Sequence, residues 1–267
     1  DAYNVAVGHL AGLQVTTGVQ NTLIGGLAGD AITTGTFNVA VGYEALSTED
    51  TGTRSVAIGW QALKLQNYDG EAFNVAIGHN AGAAVSTGIQ NTIIGGLAGD
   101  ALNVGMNNVA LGYKALSAEV GNSANVAIGT HALEDQSSAS GSAYNTAVGH
   151  AAGRNVTTGV RNAILGGLAG DALTAGGNNV AIGYAALSSE DANSFNVAIG
   201  AHALLSLDAG ANGFNTAVGF EAGKLMSTGI QNTIIGGNAG DSITTGSNNI
   251  AIGNNALSTE DAHGRNV

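Results

Sequence analysis

Four near-copies of one decapeptide place an acid at the end of a glycine-rich turn: NTLIGGLAGD at 21–30, NTIIGGLAGD at 91–100, NAILGGLAGD at 162–171 and NTIIGGNAGD at 232–241. Such a turn after a β-prone triplet can cradle a phosphate. GGLAGDAIT at 25–33 also nearly matches the calcium-binding nonapeptide G-G-x-G-x-D-x-U-x, with Asp30, Asp100, Asp171 and Asp241 in its acid position. Two features count against calcium. Ala28 replaces a required glycine, and the motif recurs every 70 or 71 residues rather than every nine. Stacked as rungs, successive acids stand roughly 19 Å apart, whereas calcium collects six to eight oxygens at about 2.5 Å. Sites between neighbouring chains stay open. The preferred reading is a corner in which the aspartate caps backbone amides. The phosphate reading is weaker, because no Gly-Lys-Ser/Thr follows and no helix is predicted to receive the anion.

Other reactive side chains also recur. His9, His79 and His150 occupy equivalent places, with Phe220 in the fourth. No H-x-H or H-x-x-x-H pairing makes a metal site within the chain, so surface histidines are expected. The competing reading is an axial ligand site, where symmetry mates of one histidine meet. Glu49-Asp50, Glu190-Asp191 and Glu260-Asp261, with Glu119 alone, could serve glycoside hydrolysis, but side-by-side carboxylates in a recurring loop are read as a solvated acidic ridge. Thr-Thr-Gly turns at Thr16-Thr17, Thr33-Thr34, Thr157-Thr158 and Thr244-Thr245 suggest an ice-binding array, yet most repeats lack them. No Ser/His/Asp set stands out. The expectation is a non-enzymatic chain without catalytic residues, cofactor or resident metal.

Composition narrows what positions these residues. Of 267 residues, 43 are Gly, none is Pro or Cys, 10% are charged and 4% are aromatic. A thick core of large side chains is not expected. Net charge is −12, with seven scattered cations, so nucleic-acid binding is disfavoured. No run of about 18 apolar residues predicts a membrane span. The chain begins at Asp1 and stops inside a motif at Asn266-Val267; it reads as a segment of something longer.

The period decides the fold class. Asn-(Val/Thr)-Ala-(Val/Ile/Leu)-Gly-x-x-Ala-(Gly/Leu) begins at Asn4, Asn21, Asn38, Ser55, Asn74, Asn91, Asn108, Asn125, Asn145, Asn162, Asn179, Asn196, Asn215, Asn232 and Asn249, at steps of 17, 19 or 20. Four units make a longer cycle, starting at Asn4, Asn74, Asn145 and Asn215. With the first Asn as position zero, position four is Gly and position seven is Ala in all fifteen units. Alternating aliphatics at one and three predict a short strand with one buried face. The glycine predicts a bend, and Ala at seven is expected to point inward from a second short strand. Helix is excluded by the Thr, Val, Gly and Asn content. The fold expected is an all-β β-solenoid or β-roll, one unit per rung, a single repetitive domain over 1–267. Rungs at about 4.8 Å give a rod on the order of 70 Å.

Position zero predicts an asparagine ladder along the stack. Position two carries Leu23, Ile93, Ile164 and Ile234 in the second unit of each cycle and usually Ala elsewhere. If one and three face inward, these four face outward, and they are expected to contact another chain around a shared axis.

The units NVAVGYEAL, SVAIGWQAL, NVALGYKAL and NVAIGYAAL resemble the N-T-A-[IV]-G-x-x-A-L shaft repeats of phage tail fibres, and the related head repeats of YadA-type trimeric autotransporter adhesins. The 17-residue step, the x-x-A-L ending and the T-T-G turn are closer to the tail-fibre type. The resemblance implies a left-handed parallel β-roll in a parallel homotrimer. It also implies an extracellular place, on a virion or bacterial surface. Partners would be adjoining fibre domains and a host cell-surface receptor met through a tip outside this sequence, with no nucleic acid and no membrane insertion. A structural shaft used in host attachment is the first expectation. An adhesin head binding host or matrix surfaces is the alternative, and a polysaccharide depolymerase or ice-binding solenoid stands further off.

Overall fold

A computed structural model describes residues 2–137, 141–189, 191–210, 212–259 and 261–266. The protein is an all-β parallel β-solenoid, with no helix among the described residues. Its strands in chain order are β1 (Val5–Val7), β2 (Thr22–Ile24), β3 (Val39–Val41), β4 (Val56–Ile58), β5 (Val75–Ile77), β6 (Thr92–Ile94), β7 (Val109–Leu111), β8 (Asn122–Ser123), β9 (Val126–Ile128), β10 (Gly141–Ser142), β11 (Thr146–Val148), β12 (Ala163–Leu165), β13 (Val180–Ile182), β14 (Val197–Ile199), β15 (Thr216–Val218), β16 (Thr233–Ile235) and β17 (Ile250–Ile252). The chain divides into two compact units, 1–130 with 137–142, and 131–136 with 143–267. In the first, β1 to β7 and β9 form a parallel ladder in sequence order, and β8 pairs β10. In the second, β11 to β17 do the same. Register follows the repeat: Val5 faces Thr22, 17 residues on, and Val56 faces Val75 across a 19-residue rung.

Two features of position four make it glycine. Its φ runs from 125° to 142°, backbone that L-residues scarcely adopt. A Cβ there would also meet the next rung, 2.4 Å from the Gly42 carbonyl oxygen in the case of Gly25. The expected second strand is absent. Residues after the glycine form a turn, with left-handed residues on both sides of the inward alanine, as in Leu27 (φ 57°) and Gly29 (φ 55°) around Ala28. The alanine does point inward: Ala28, Ala45, Ala62 and Ala81 are fully buried.

The strand faces are the reverse of the sequence expectation. Position two is buried, as Ala40, Ala57, Ala76 and Ala181 show, while positions one and three look outward. Leu23, Ile93, Ile164 and Ile234 therefore fill the core of their own coil at 0–1% exposure, which leaves them no surface for the expected contact with another chain. The interior is shared with a second column of large side chains, Ile32 in the rung of Leu23 and Leu102 in that of Ile93, and most strand positions facing it are alanine.

That inversion accounts for the four-rung cycle. Where position two is Leu23, position eight is glycine both in its own rung and in the rung before. A Cβ on Gly29 would lie 2.7 Å from Leu23 Cδ2, and one on Gly12 would lie 2.8 Å from Leu23 Cδ1. In the third and fourth rungs of each cycle position two is alanine, and buried Leu46, Leu63, Leu116, Leu133, Leu187 and Leu204 fill position eight. One large residue at position two thus serves the first two rungs and one at position eight serves each of the third and fourth, so the large side chain changes column along the cycle.

Candidate functional site

The asparagines form a ladder whose partners are backbone groups. The Asn21 N–H donates to Asn4 Oδ1 at 2.8 Å, Asn38 N–H to Asn21 Oδ1 at 2.9 Å and Asn91 N–H to Asn74 Oδ1 at 2.9 Å. Most Nδ2 groups then reach across their own turn, as Asn21 does to the Gly35 carbonyl and Asn91 to the Gly105 carbonyl, at 2.8 and 2.9 Å, whereas Asn196 Nδ2 meets the Ser194 carbonyl at 3.5 Å. Amide-to-amide contacts are fewer; Asn108 Nδ2 to Asn91 Oδ1 at 3.2 Å is one. One buried side chain thus ties two rungs and closes one coil. Ser55, the exception, is too short to do both. Gln66 fills the space: its Nε2 donates to Ser55 Oγ (2.7 Å) and Glu49 Oε2 (3.0 Å), and Asn74 Nδ2 donates to its Oε1 (2.9 Å).

Glu49 and Glu119 are fully buried, which corrects their reading as part of a solvated ridge; Glu190 and Glu260 lie outside the described residues. The column they occupy holds Val15, Ile32, Val85 and Leu102 in other rungs and the buried amides Gln66 and Gln136 in the rungs that follow the two glutamates. Aligning the units to one another would have exposed them as core carboxylates. Glu49 accepts from the Gly52 N–H at 2.6 Å, and Glu119 Oε1 from the Asn122 and Gly121 N–H groups at 2.7 and 2.9 Å. Glu119 Oε2 has no partner. Burial raises the pKa of both, against the amide hydrogen bonds that lower it.

Asp30, Asp100, Asp171 and Asp241 sit half-buried at one corner of separate rungs. Desolvation raises the carboxyls of Asp30, Asp100 and Asp171. Among the described residues, no three His, Cys, Asp or Glu side chains gather as a metal site. His9, His79 and His150 are exposed and are not brought together. His79 stacks on Trp60 at 4.8 Å, and His150 meets the edge of His131 at 6.3 Å. The threonine hydroxyls are engaged between rungs: Thr16 Oγ1 donates to the Thr33 carbonyl and Thr33 Oγ1 to the Asp50 carbonyl, both at 3.1 Å.

The feature with most capacity for recognition is the outer strand face. Positions one and three of each strand share it, giving Val39-Val41, Val56-Ile58 and Val75-Ile77 in successive rungs, with Phe37, Arg54 and Phe73 just before the strands and Tyr43, Trp60 and His79 just after the glycine bend. Exposed large hydrophobic side chains lie on it, as Ile77 and Leu165 do, and flank it, as Phe73 and Trp60 do. Arg54 is held between the Phe37 and Phe73 rings at 5.5 and 5.6 Å. Phe195 and Phe214 stack at 5.1 Å. Soluble monomers seldom expose an apolar patch beyond a few hundred Å², and this one runs along the ladder of each unit. No protein-family model matches the chain, and no curated protein or solved structure does either.

Proposed function

We propose that the chain is a structural, non-enzymatic shaft segment of an extracellular homotrimeric fibre of the phage tail-fibre kind, used in host attachment. The observation that supports it is the apolar outer strand face. Position three presents Val, Ile or Leu in every rung and position one Val, Ile, Thr or Ala, and a second copy of the same face offers the matching apolar cover. A parallel trimer covers it by cyclic symmetry. The work is mechanical: interlocking rung-to-rung hydrogen bonds, the asparagine cross-braces and the covered face resist bending and proteolysis. Attachment to a receptor belongs to a tip, and adjoining fibre domains continue the assembly.

The alternative is an adhesin head that binds host or matrix surfaces along its side. Labelled protein titrated onto cells, matrix proteins and bacterial surface polysaccharide separates the two. A shaft shows no saturable binding tighter than about micromolar and releases no reducing ends. Saturable high-affinity binding to cells or matrix would replace the shaft by the adhesin, and cleaved polysaccharide would replace both by a depolymerase.

A further inference from the structure

The rung that begins at Ser55 runs 19 residues to Asn74, and its insertion opens a recess of about 460 Å³ on the loop corner. Asp50, Asn67, Tyr68, Asp69 and Thr87 line it, drawn from three successive rungs. The volume is within the ordinary range for small-molecule sites, roughly 300–1,000 Å³. The chemistry of the lining is specific. Asp50 lines it with a half-buried carboxylate side chain. Asp69 is steadied by the Thr51 hydroxyl, which donates to its Oδ1 at 2.6 Å. Tyr68 is half-buried, its ring over Gly70, where a Cβ would lie 3.1 Å from Tyr68 Cε1. The Tyr68 N–H donates to the buried Glu49 carboxylate at 3.3 Å, tying the insertion to the core.

We propose that this recess is a binding site for a neutral or amino-bearing pyranose of a surface glycan. Sugar hydroxyls both donate and accept. They can give hydrogen bonds to Asp50 and Asp69 and take them from the Asn67 amide and the Tyr68 and Thr87 hydroxyls. The C–H face of the ring has an aromatic side chain to lie against. Two carboxylates on a chain of net charge −12 repel sialic and uronic acids. A cation is the competing occupant, but among the described residues no three ligating side chains converge. The site is specific to one rung: the later 19-residue rung carries Asp208-Ala209-Gly210 at this corner, without an aromatic residue. The inference is independent of the shaft reading, because the recess lies on the loop corner and not on the apolar strand face.

The test is saturation-transfer NMR on the full chain with galactose, glucose, N-acetylglucosamine, glucosamine and N-acetylneuraminic acid, alongside a calcium chloride titration. The expected result is transfer to at least one neutral or amino sugar with Kd near about 1 mM and none to N-acetylneuraminic acid. Tyr68→Ala and Asp69→Asn should each weaken the transfer by about tenfold or more. Asp69 is exposed, so its variant keeps the fold, which circular dichroism checks. Transfer to no sugar, transfer unchanged in Asp69→Asn, equal transfer to the acidic sugar, or saturable calcium binding in place of sugar would each overturn the proposal.

Discussion

At the residue scale, the asparagine column is defined by what each amide can and cannot donate. Asn91 accepts from the Asn108 N–H through Oδ1 (3.0 Å) and donates to the Gly105 carbonyl through Nδ2 (2.9 Å), both in the interior. Asn91→Ala leaves a buried donor and a buried acceptor unpaired, at a cost of about 2–5 kcal/mol, readable as a lower urea midpoint. Asn91→Asp keeps the acceptor but turns a second oxygen towards the Gly105 carbonyl. It should be worse than alanine at pH 7 and recover in acid, where the protonated carboxyl donates again. Glu119 makes the opposite case. Its folded pKa is raised, so its stabilising share is complete below the ordinary carboxylate pKa and is lost as pH rises through the folded value. Glu119→Gln keeps the acceptor for the Asn122 and Gly121 amides without the buried charge. Its Tm should exceed that of the wild type at pH 7, and the difference should vanish below about pH 4. A variant less stable at pH 7 would show that the ionised carboxylate is needed.

At the element scale, the rung is a strand, a glycine bend and a left-handed turn, and a large aliphatic at position two of the second rung stands in for those at position eight of the third and fourth. Leu23→Ala should cost about 2–5 kcal/mol for the cavity. Gly29→Leu alone should be overpacked against Leu23 and Ile32. The double substitution rebuilds the second rung in the pattern of the third, where Ala40 and Leu46 are both buried and Leu46 has φ 54°. It should be more stable than either single variant, and simple additivity in a thermal double-mutant cycle would refute the exchange. This exchange also marks what the sequence could tell. Strand positions, the bend at Gly25 and the inward Ala28 follow from spacing alone. The direction of the strand face does not, because Val39-Ala40-Val41 alternates equally well either way, and the choice lies with the width of the coil. The burial of Glu49 is hidden in the sequence for a related reason. Its neighbour Asp50 and its loop position suggest solvent, while the Gly52 amide that accommodates its carboxylate is visible only in the fold.

At the scale of the whole molecule, the balance of an apolar strand face and a net charge of −12 governs association. Charge alone favours separate chains, so the proposed assembly would rest on the face bearing Ile58, Ile77 and Leu111. The outward exposure of those residues, together with the burial of Leu23 and its equivalents, moves the expected contact between copies from position two to positions one and three. Ile58→Glu places a charge on that face without touching the core column of Ala57. It should leave the circular dichroism of the coil intact and disperse the assembly. The most direct measurement is the solution mass of the wild-type chain by light scattering across a dilution series. The account predicts three times 26.1 kDa, held on dilution and falling to one chain in Ile58→Glu. A wild-type mass of one chain at every concentration would contradict it and leave the apolar face open to water.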